Sequence, residues 1–80
     1  MKSFEFEDNI YLVIRQNIKK YRLAKNMTSA ELAECVELSH EFIRALESNS
    51  PKFTLSVKTL YKISVVLGVR VDKLFAKPTD

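Results

Sequence analysis

Cysteine, histidine, glycine, proline and tryptophan are scarce in this 80-residue sequence, which has one cysteine, one histidine, one glycine, two prolines and no tryptophan. A single cysteine, Cys35, cannot form an internal disulfide, and no cysteine and histidine residues have the spacing of a zinc site. We therefore expect apolar packing to hold the fold together in a reducing compartment. Cys35 is expected to be an inert thiol, and neither a metal nor a cofactor is expected.

Long apolar runs are also missing, since none approaches the roughly 18 residues that would span a bilayer. Glu5, Glu7 and Asp8 give the N-terminus a character unlike that of a secretory signal. The single histidine, His40, has no nucleophile or metal ligand at a suitable spacing, and there is no glycine-rich phosphate loop. We expect neither a membrane protein nor an enzyme.

The apolar residues that are present recur at helical spacing, which predicts an all-α fold. Five helices are predicted: one from Ile10 to about Lys25, with Asp8 or Asn9 as its cap, two between Thr28 and Glu47, a fourth from Ser56 to Gly68, and a last short one from about Val71 to Ala76.

Capping residues define the second and third helices. Thr28 and Glu31 have the spacing of a capping box, which starts a helix. Ser39 is a second N-cap only a few residues later, so the helix that Thr28 begins must stop near Val36. Asn26, which tolerates a left-handed backbone, follows the first helix. The sequence therefore predicts two short helices joined by a tight turn.

The charges are unevenly distributed around a net charge of +3. Residues 10–27 carry five basic residues and no acid, residues 28–47 carry five glutamates and only Arg44, and residues 48–80 are basic again. This pattern has two interpretations, a surface that faces phosphates or ordinary solvated helix faces. Charge alone does not choose between them.

Residues 29–48 have the pattern of a helix-turn-helix. Two helices that cross at about 90 to 120° through a short turn need a small side chain at the crossing and apolar inner faces. Ala33 is small, and we expect it to meet Ile43 at the crossing. The other apolar positions of the stretch are Leu32, Val36, Leu38 and Leu46.

The segments IKKYRLAKNMTSAELAECVELSHEFIRALES and TLYKISVVLGVRVDKLF resemble the phage-repressor family of helix-turn-helix proteins, the Cro/CI-like or XRE type, over residues 14 to about 75. The resemblance implies a compact five-helix bundle of the lambda-repressor-like DNA-binding type. It places a helix-turn-helix DNA-binding domain at 10–76, an N-terminal arm or cap at 1–9 and a C-terminal tail at 77–80.

In this family the second helix of the motif enters the major groove of DNA. The resemblance assigns base-facing positions to Ser39, His40, Glu41, Arg44 and Ala45, and phosphate-facing positions to Thr28, Ser29, Phe42, Lys52 and Lys58. His40 can donate to guanine, Glu41 can accept from cytosine, and Arg44 can reach phosphate or guanine. The resemblance also implies a structural ion pair between Arg22 and Glu47.

The sequence departs from the family pattern at several positions. Ser29 replaces a usual glutamine, which in the family bridges phosphate and the recognition helix, so this contact is shortened. Asn26, Glu37 and Asn49 replace usual glycines, and a left-handed glutamate costs about 1 kcal/mol. Glu37 and Glu41 bring negative charge towards the groove-facing side, where it repels phosphate. We expect modest DNA affinity and a strained turn.

The resemblance implies a sequence-specific transcriptional regulator, a repressor, that binds double-stranded DNA as a homodimer in the cytoplasm and is bacterial or phage-encoded. The alternative is a protein-interaction module that has lost DNA binding and holds a regulatory protein partner through Tyr11, Leu12 and Val13 or through the acidic face of the motif. Phe4 and Phe6 alternate with acids and are consistent with packing, an extended arm or a partner surface.

Overall fold

The computed structural model describes residues 10–48 and 55–77. These residues form four α-helices, α1 (Ile10–Ala24), α2 (Ser29–Cys35), α3 (His40–Glu47) and α4 (Val57–Leu67), followed by a short 3-10 helix (Val71–Phe75). Within these two ranges there is no strand, so the all-α prediction is confirmed. The expectations for residues 1–9, with the Asp8 or Asn9 cap, for Asn49 and Lys52, and for residues 78–80 lie outside the described residues.

The core is one cluster of buried side chains, to which every described helix contributes. α2 and α3 pack extensively against each other, with Ala33 only 2% exposed and Ile43 fully buried. The 3-10 helix packs on α1 and α4 and adds Leu74. The members of the cluster are Ile14, Ile18, Leu32, Ala33, Val36, Ile43, Leu46, Leu60, Ile63, Leu67 and Leu74.

The predicted N-caps of α2, α3 and α4 are confirmed. Thr28 forms the full capping box with Glu31, because its hydroxyl accepts from the Glu31 N–H while its own N–H donates to the Glu31 carboxylate. Ser39 accepts from Phe42 N–H at 3.0 Å. Ser56 accepts from Thr59 N–H at 3.1 Å. Each cap satisfies a backbone donor that the first helical turn leaves without a partner.

Three helices end in the same way, on a residue with a left-handed backbone. Asn26 (φ 57°) follows α1, Glu37 (φ 60°) follows α2, and Gly68 (φ 69°) follows α4. After α2, the Leu38 N–H returns to the Ala33 carbonyl at 2.9 Å, which is the hydrogen bond of a Schellman motif. The prediction that Asn26 and Glu37 take a glycine-like conformation is confirmed.

The strain at Glu37 has a measurable consequence. Replacing Glu37 by glycine is expected to raise the free energy of unfolding by about 1 kcal/mol, because glycine adopts a positive φ without a steric clash of Cβ. The measurement is the urea midpoint. The matched control is Glu34→Gly, three residues earlier and also exposed, which should lower stability by about 1 kcal/mol because Glu34 lies within α2. A Glu37→Gly midpoint at or below that of the parent would contradict the strain.

The last predicted helix is a short 3-10 helix, so the described residues contain four α-helices and the five-helix detail is not confirmed. The segment has only five residues, and its N-cap, Arg70, makes no side-chain cap bond. So short a segment cannot offset the cost of starting an α-helix. The Asn17 amide also donates to the carbonyls of Leu74 (2.9 Å) and Ala76 (2.7 Å). These bonds fix the segment to α1.

Candidate nucleic-acid interface

The polar face of α3 follows from the packing of its apolar face. Ile43 and Leu46 are fully buried against the core. At 3.6 residues per turn, positions 40, 41, 44 and 45 fall within about 140° of the helix circumference, on the side away from those two residues. His40, Glu41 and Arg44 are exposed. The helix therefore presents one imidazole, one carboxylate and one guanidinium on a single outward face.

Two other predicted base-facing positions sit at the edges of this face. Ser39 is exposed, and its hydroxyl is engaged as the N-cap of α3. Ala45 is half-buried, and its carbonyl accepts from the Ser48 hydroxyl at 2.8 Å. Phe42, predicted to face phosphate, is half-buried and packs against the core, and its N–H is taken up by Ser39.

The remaining predicted phosphate positions lie at the starts of α2 and α4. Thr28 and Lys58 are exposed and Ser29 is half-buried. Glu31 lies in the capping box beside Thr28. The pKa of the Glu31 carboxyl is lowered mainly by its hydrogen bond with the Thr28 backbone, and to a smaller extent by its hydrogen bond with the Thr28 side chain. When that carboxyl is ionised, a negative charge therefore lies next to Thr28.

An ion pair fixes the end of α3. The Arg22 guanidinium donates to the Glu47 carboxylate through Nε at 2.6 Å and through Nη2 at 2.9 Å. Its Nη1 donates to the Met27 carbonyl in the turn before α2. The two charged side chains are only 9% and 10% exposed. The pair thus joins α1, the start of the motif and α3, at the positions that the sequence analysis assigned to it.

Two further polar contacts lie at the two ends of α3. Arg15 is 5% exposed, and its Nη1 lies 3.4 Å from the Ser48 carbonyl, at the end of α3. The Ser29 hydroxyl lies 3.0 Å from His40 Nε2, so the first residues of α2 and α3 are in contact. The family resemblance indicates a contact between position 29 and the recognition helix but not which residue it meets, and no sequence pattern indicates the partner of Arg15.

A groove of about 230 Å³ lies between the end of α2 and the outer side of α4. It is lined by Cys35, Val36, Glu37, Tyr61, Lys62, Val65 and Val66. Cys35 is an exposed free thiol. Among residues 10–48 and 55–77, no three acidic, cysteine or histidine side chains are grouped so as to hold a metal ion. No helix in those ranges is long and apolar enough to cross a membrane.

The pattern of the helix-turn-helix family matches residues 18–74. An uncharacterized HTH-type transcriptional regulator from Archaeoglobus fulgidus is 37% identical over 62 residues, which are 78% of this chain and 84% of that protein.

Two solved structures are also similar. SinR of Bacillus subtilis, a master regulator of biofilm formation solved in complex with DNA, superposes with a TM-score of 0.72 at 35% identity, over 79% of this chain and 98% of that one. A hypothetical transcription factor from Neisseria has a TM-score of 0.81 at 22% identity, over 98% and 88% of the two chains, and supports the fold. The chain belongs to the helix-turn-helix family of transcriptional regulators, the Cro/CI-like or XRE type.

Proposed function

We propose that residues 10–76 form a sequence-specific DNA-binding unit that places α3 in the major groove and acts as a transcriptional repressor in the cytoplasm. The observation that carries the proposal is the outward face of α3, where His40, Glu41 and Arg44 stand together on a helix that is buried on its other side. A helix of this width fits the major groove, and these three side chains match the donors and acceptors of base edges.

The phosphate contacts in this proposal come from residues around that face. Thr28 and Ser29 stand at the start of α2, and Lys58 stands in the first turn of α4. Lys19, Lys20 and Lys25 are exposed on and just after α1 and add attraction at longer range. Such contacts position the protein on the duplex, whereas base contacts specify the sequence.

We also propose that the protein binds as a homodimer, because one short helix reads too few base pairs for specificity and a two-fold pair reads a palindrome. Val57, Tyr61 and Val65 support this proposal. They are 84%, 62% and 59% exposed and recur every four residues along α4. Such an apolar stripe is suited to a symmetric contact with a second copy.

Binding to labelled duplexes over a series of salt concentrations tests the proposal. The logarithm of the association constant should fall linearly with the logarithm of the salt concentration, because phosphate contacts release counterions. If the protein binds none of the duplexes even at low salt, the proposal of DNA binding is contradicted. In that case the groove between α2 and α4, whose lining includes the exposed side chains of Tyr61 and Val65, favours the alternative of a protein-interaction module.

Replacing Glu41 is expected to raise the affinity for DNA, whereas most replacements in a DNA-binding surface lower it. Glu41→Gln should strengthen binding to random duplex, because it removes a charge that repels the phosphate backbone, while any preference for cytosine relaxes. Asp72→Asn is the matched control, since Asp72 is exposed on the 3-10 helix and already pairs with Arg70. Competition assays with cognate and random duplexes measure both effects. If Glu41→Gln binds both duplexes with the affinity of the parent, Glu41 does not lie in the interface with DNA.

A further inference from the structure

The hydroxyl of Ser29 and Nε2 of His40 lie 3.0 Å apart and join the first residue of α2 to the first residue of α3. We propose that Ser29 is a positioning residue that sets the tautomer of His40, so that His40 reads adenine or cytosine and not guanine. The proposal rests on the proposed function, in which Ser29 faces phosphate and His40 faces base edges. It also departs from the expectation that His40 donates to guanine.

Counting protons on the two side chains leads to the tautomer. A neutral imidazole has one N–H donor and one acceptor nitrogen, whereas a serine hydroxyl has a single proton and can also accept. A phosphate oxygen only accepts. When Ser29 gives its proton to phosphate, its oxygen must accept from Nε2–H of His40. The other ring nitrogen, Nδ1, is then an acceptor.

The opposite arrangement leaves the phosphate contact unmade. If Ser29 donates to Nε2, no proton remains for the phosphate, and the lone pairs of the hydroxyl face a negatively charged oxygen. A charge-assisted hydrogen bond to phosphate is stronger than a neutral one, so the complex favours the first arrangement. In the DNA complex, Nδ1 of the neutral His40 ring is therefore an acceptor that needs a hydrogen-bond donor.

Only two bases offer such a donor in the major groove, adenine through its N6 amino group and cytosine through its N4 amino group. Guanine offers two acceptors, and thymine offers an acceptor and a methyl group. The next residue, Glu41, is also an acceptor and also exposed. The start of α3 thus presents two neighbouring acceptors, and Arg44, one turn later, is the donor of the face.

Selection of bound sequences by the parent, Ser29→Ala and Ser29→Thr tests the base preference. The parent should prefer adenine or cytosine over guanine by about five- to tenfold at one position, the contribution of one polar base contact. Ser29→Ala should reduce this preference to about twofold or less, and Ser29→Thr should retain it because the hydroxyl is kept. The dependence on salt should not change, because a neutral hydroxyl releases no counterion.

Ser56→Ala is the matched control, because it removes a serine hydroxyl that caps a different helix, α4, through hydrogen bonds with Thr59. It should lower stability and leave the base preference as in the parent. A Ser29→Ala variant with the parent's base preference would overturn the proposal while leaving DNA binding in place. Failure of the parent to bind any duplex would overturn the proposed function and this inference with it.

Nitrogen-15 NMR of the imidazole reports the tautomer directly, because His40 is the only histidine of the chain. The spectrum is recorded at about pH 8, where an ordinary imidazole is neutral. The selected duplex should give the Nε2–H tautomer with parent protein, and Ser29→Ala should give a mixture. An Nδ1–H tautomer in the parent complex, or a selected site with guanine at the position that His40 reads, would overturn the proposal.

Discussion

Replacing Arg22 by methionine is expected to lower the free energy of unfolding by about 3 kcal/mol, because it leaves the Glu47 carboxylate buried without its partner. The Arg22 and Glu47 side chains are 9% and 10% exposed and share two hydrogen bonds. The same change breaks the bond from Arg22 to the Met27 carbonyl. Urea unfolding followed by circular dichroism measures the loss.

Two controls separate a stranded charge from a loss of packing. In the double variant Arg22→Met with Glu47→Leu, most of the stability should return, because apolar residues can replace a buried ion pair at little cost. The exposed pair of Arg70 and Asp72, with side chains 83% and 61% exposed, should behave differently, and Arg70→Met should change stability by at most about 0.5 kcal/mol. An Arg22→Met protein as stable as the parent would show that the pair does not hold α3 in place.

Replacing Arg44 by alanine is expected to weaken binding at the cognate site by about 1 to 3 kcal/mol if the guanidinium contacts a guanine. If Arg44 contacts only phosphate, the loss should be independent of sequence. The slope of log affinity against log salt should then flatten by about one unit. Titrations of cognate and random duplexes at several salt concentrations distinguish the two contacts.

Arg70→Ala is the matched control for Arg44→Ala. Arg70 precedes the 3-10 helix, which packs on α1 and α4, and is held in an exposed pair with Asp72. Its removal should leave the affinity for cognate DNA nearly unchanged. A folded Arg44→Ala protein that binds both duplexes as tightly as the parent would mean that α3 does not enter the groove.

Local signals explain why the helix boundaries could be predicted. The capping box of Thr28 and Glu31 spans four residues, and the left-handed ends at Asn26 and Glu37 close hydrogen bonds within six residues. The two residues of each of these hydrogen bonds therefore lie within six residues of each other in the sequence. The outward face of α3 is equally local, since the buried positions Ile43 and Leu46 determine which side of the helix remains exposed.

Contacts between distant residues could not be predicted in the same way. The Asn17 amide meets the Leu74 carbonyl 57 residues away, and no pattern around either residue indicates the pairing. The last short helix was predicted without its type, because the spacing of Val71 and Leu74 suits both an α-helix and a 3-10 helix. The bond between Ser29 and His40 depends on the crossing angle of α2 and α3. Arg22 and Glu47 were paired only through the family resemblance.

Selection of bound sequences from a pool of random duplexes, with parent protein, tests the central claim most directly. The claim is that α3 reads DNA within a two-fold pair of copies. The predicted result is one enriched site with two inverted halves about one helical turn of DNA apart, or a multiple of it, and its loss from the pool selected by Arg44→Ala. A pool that shows no enrichment after several rounds, from protein shown to be folded, would contradict sequence-specific DNA binding.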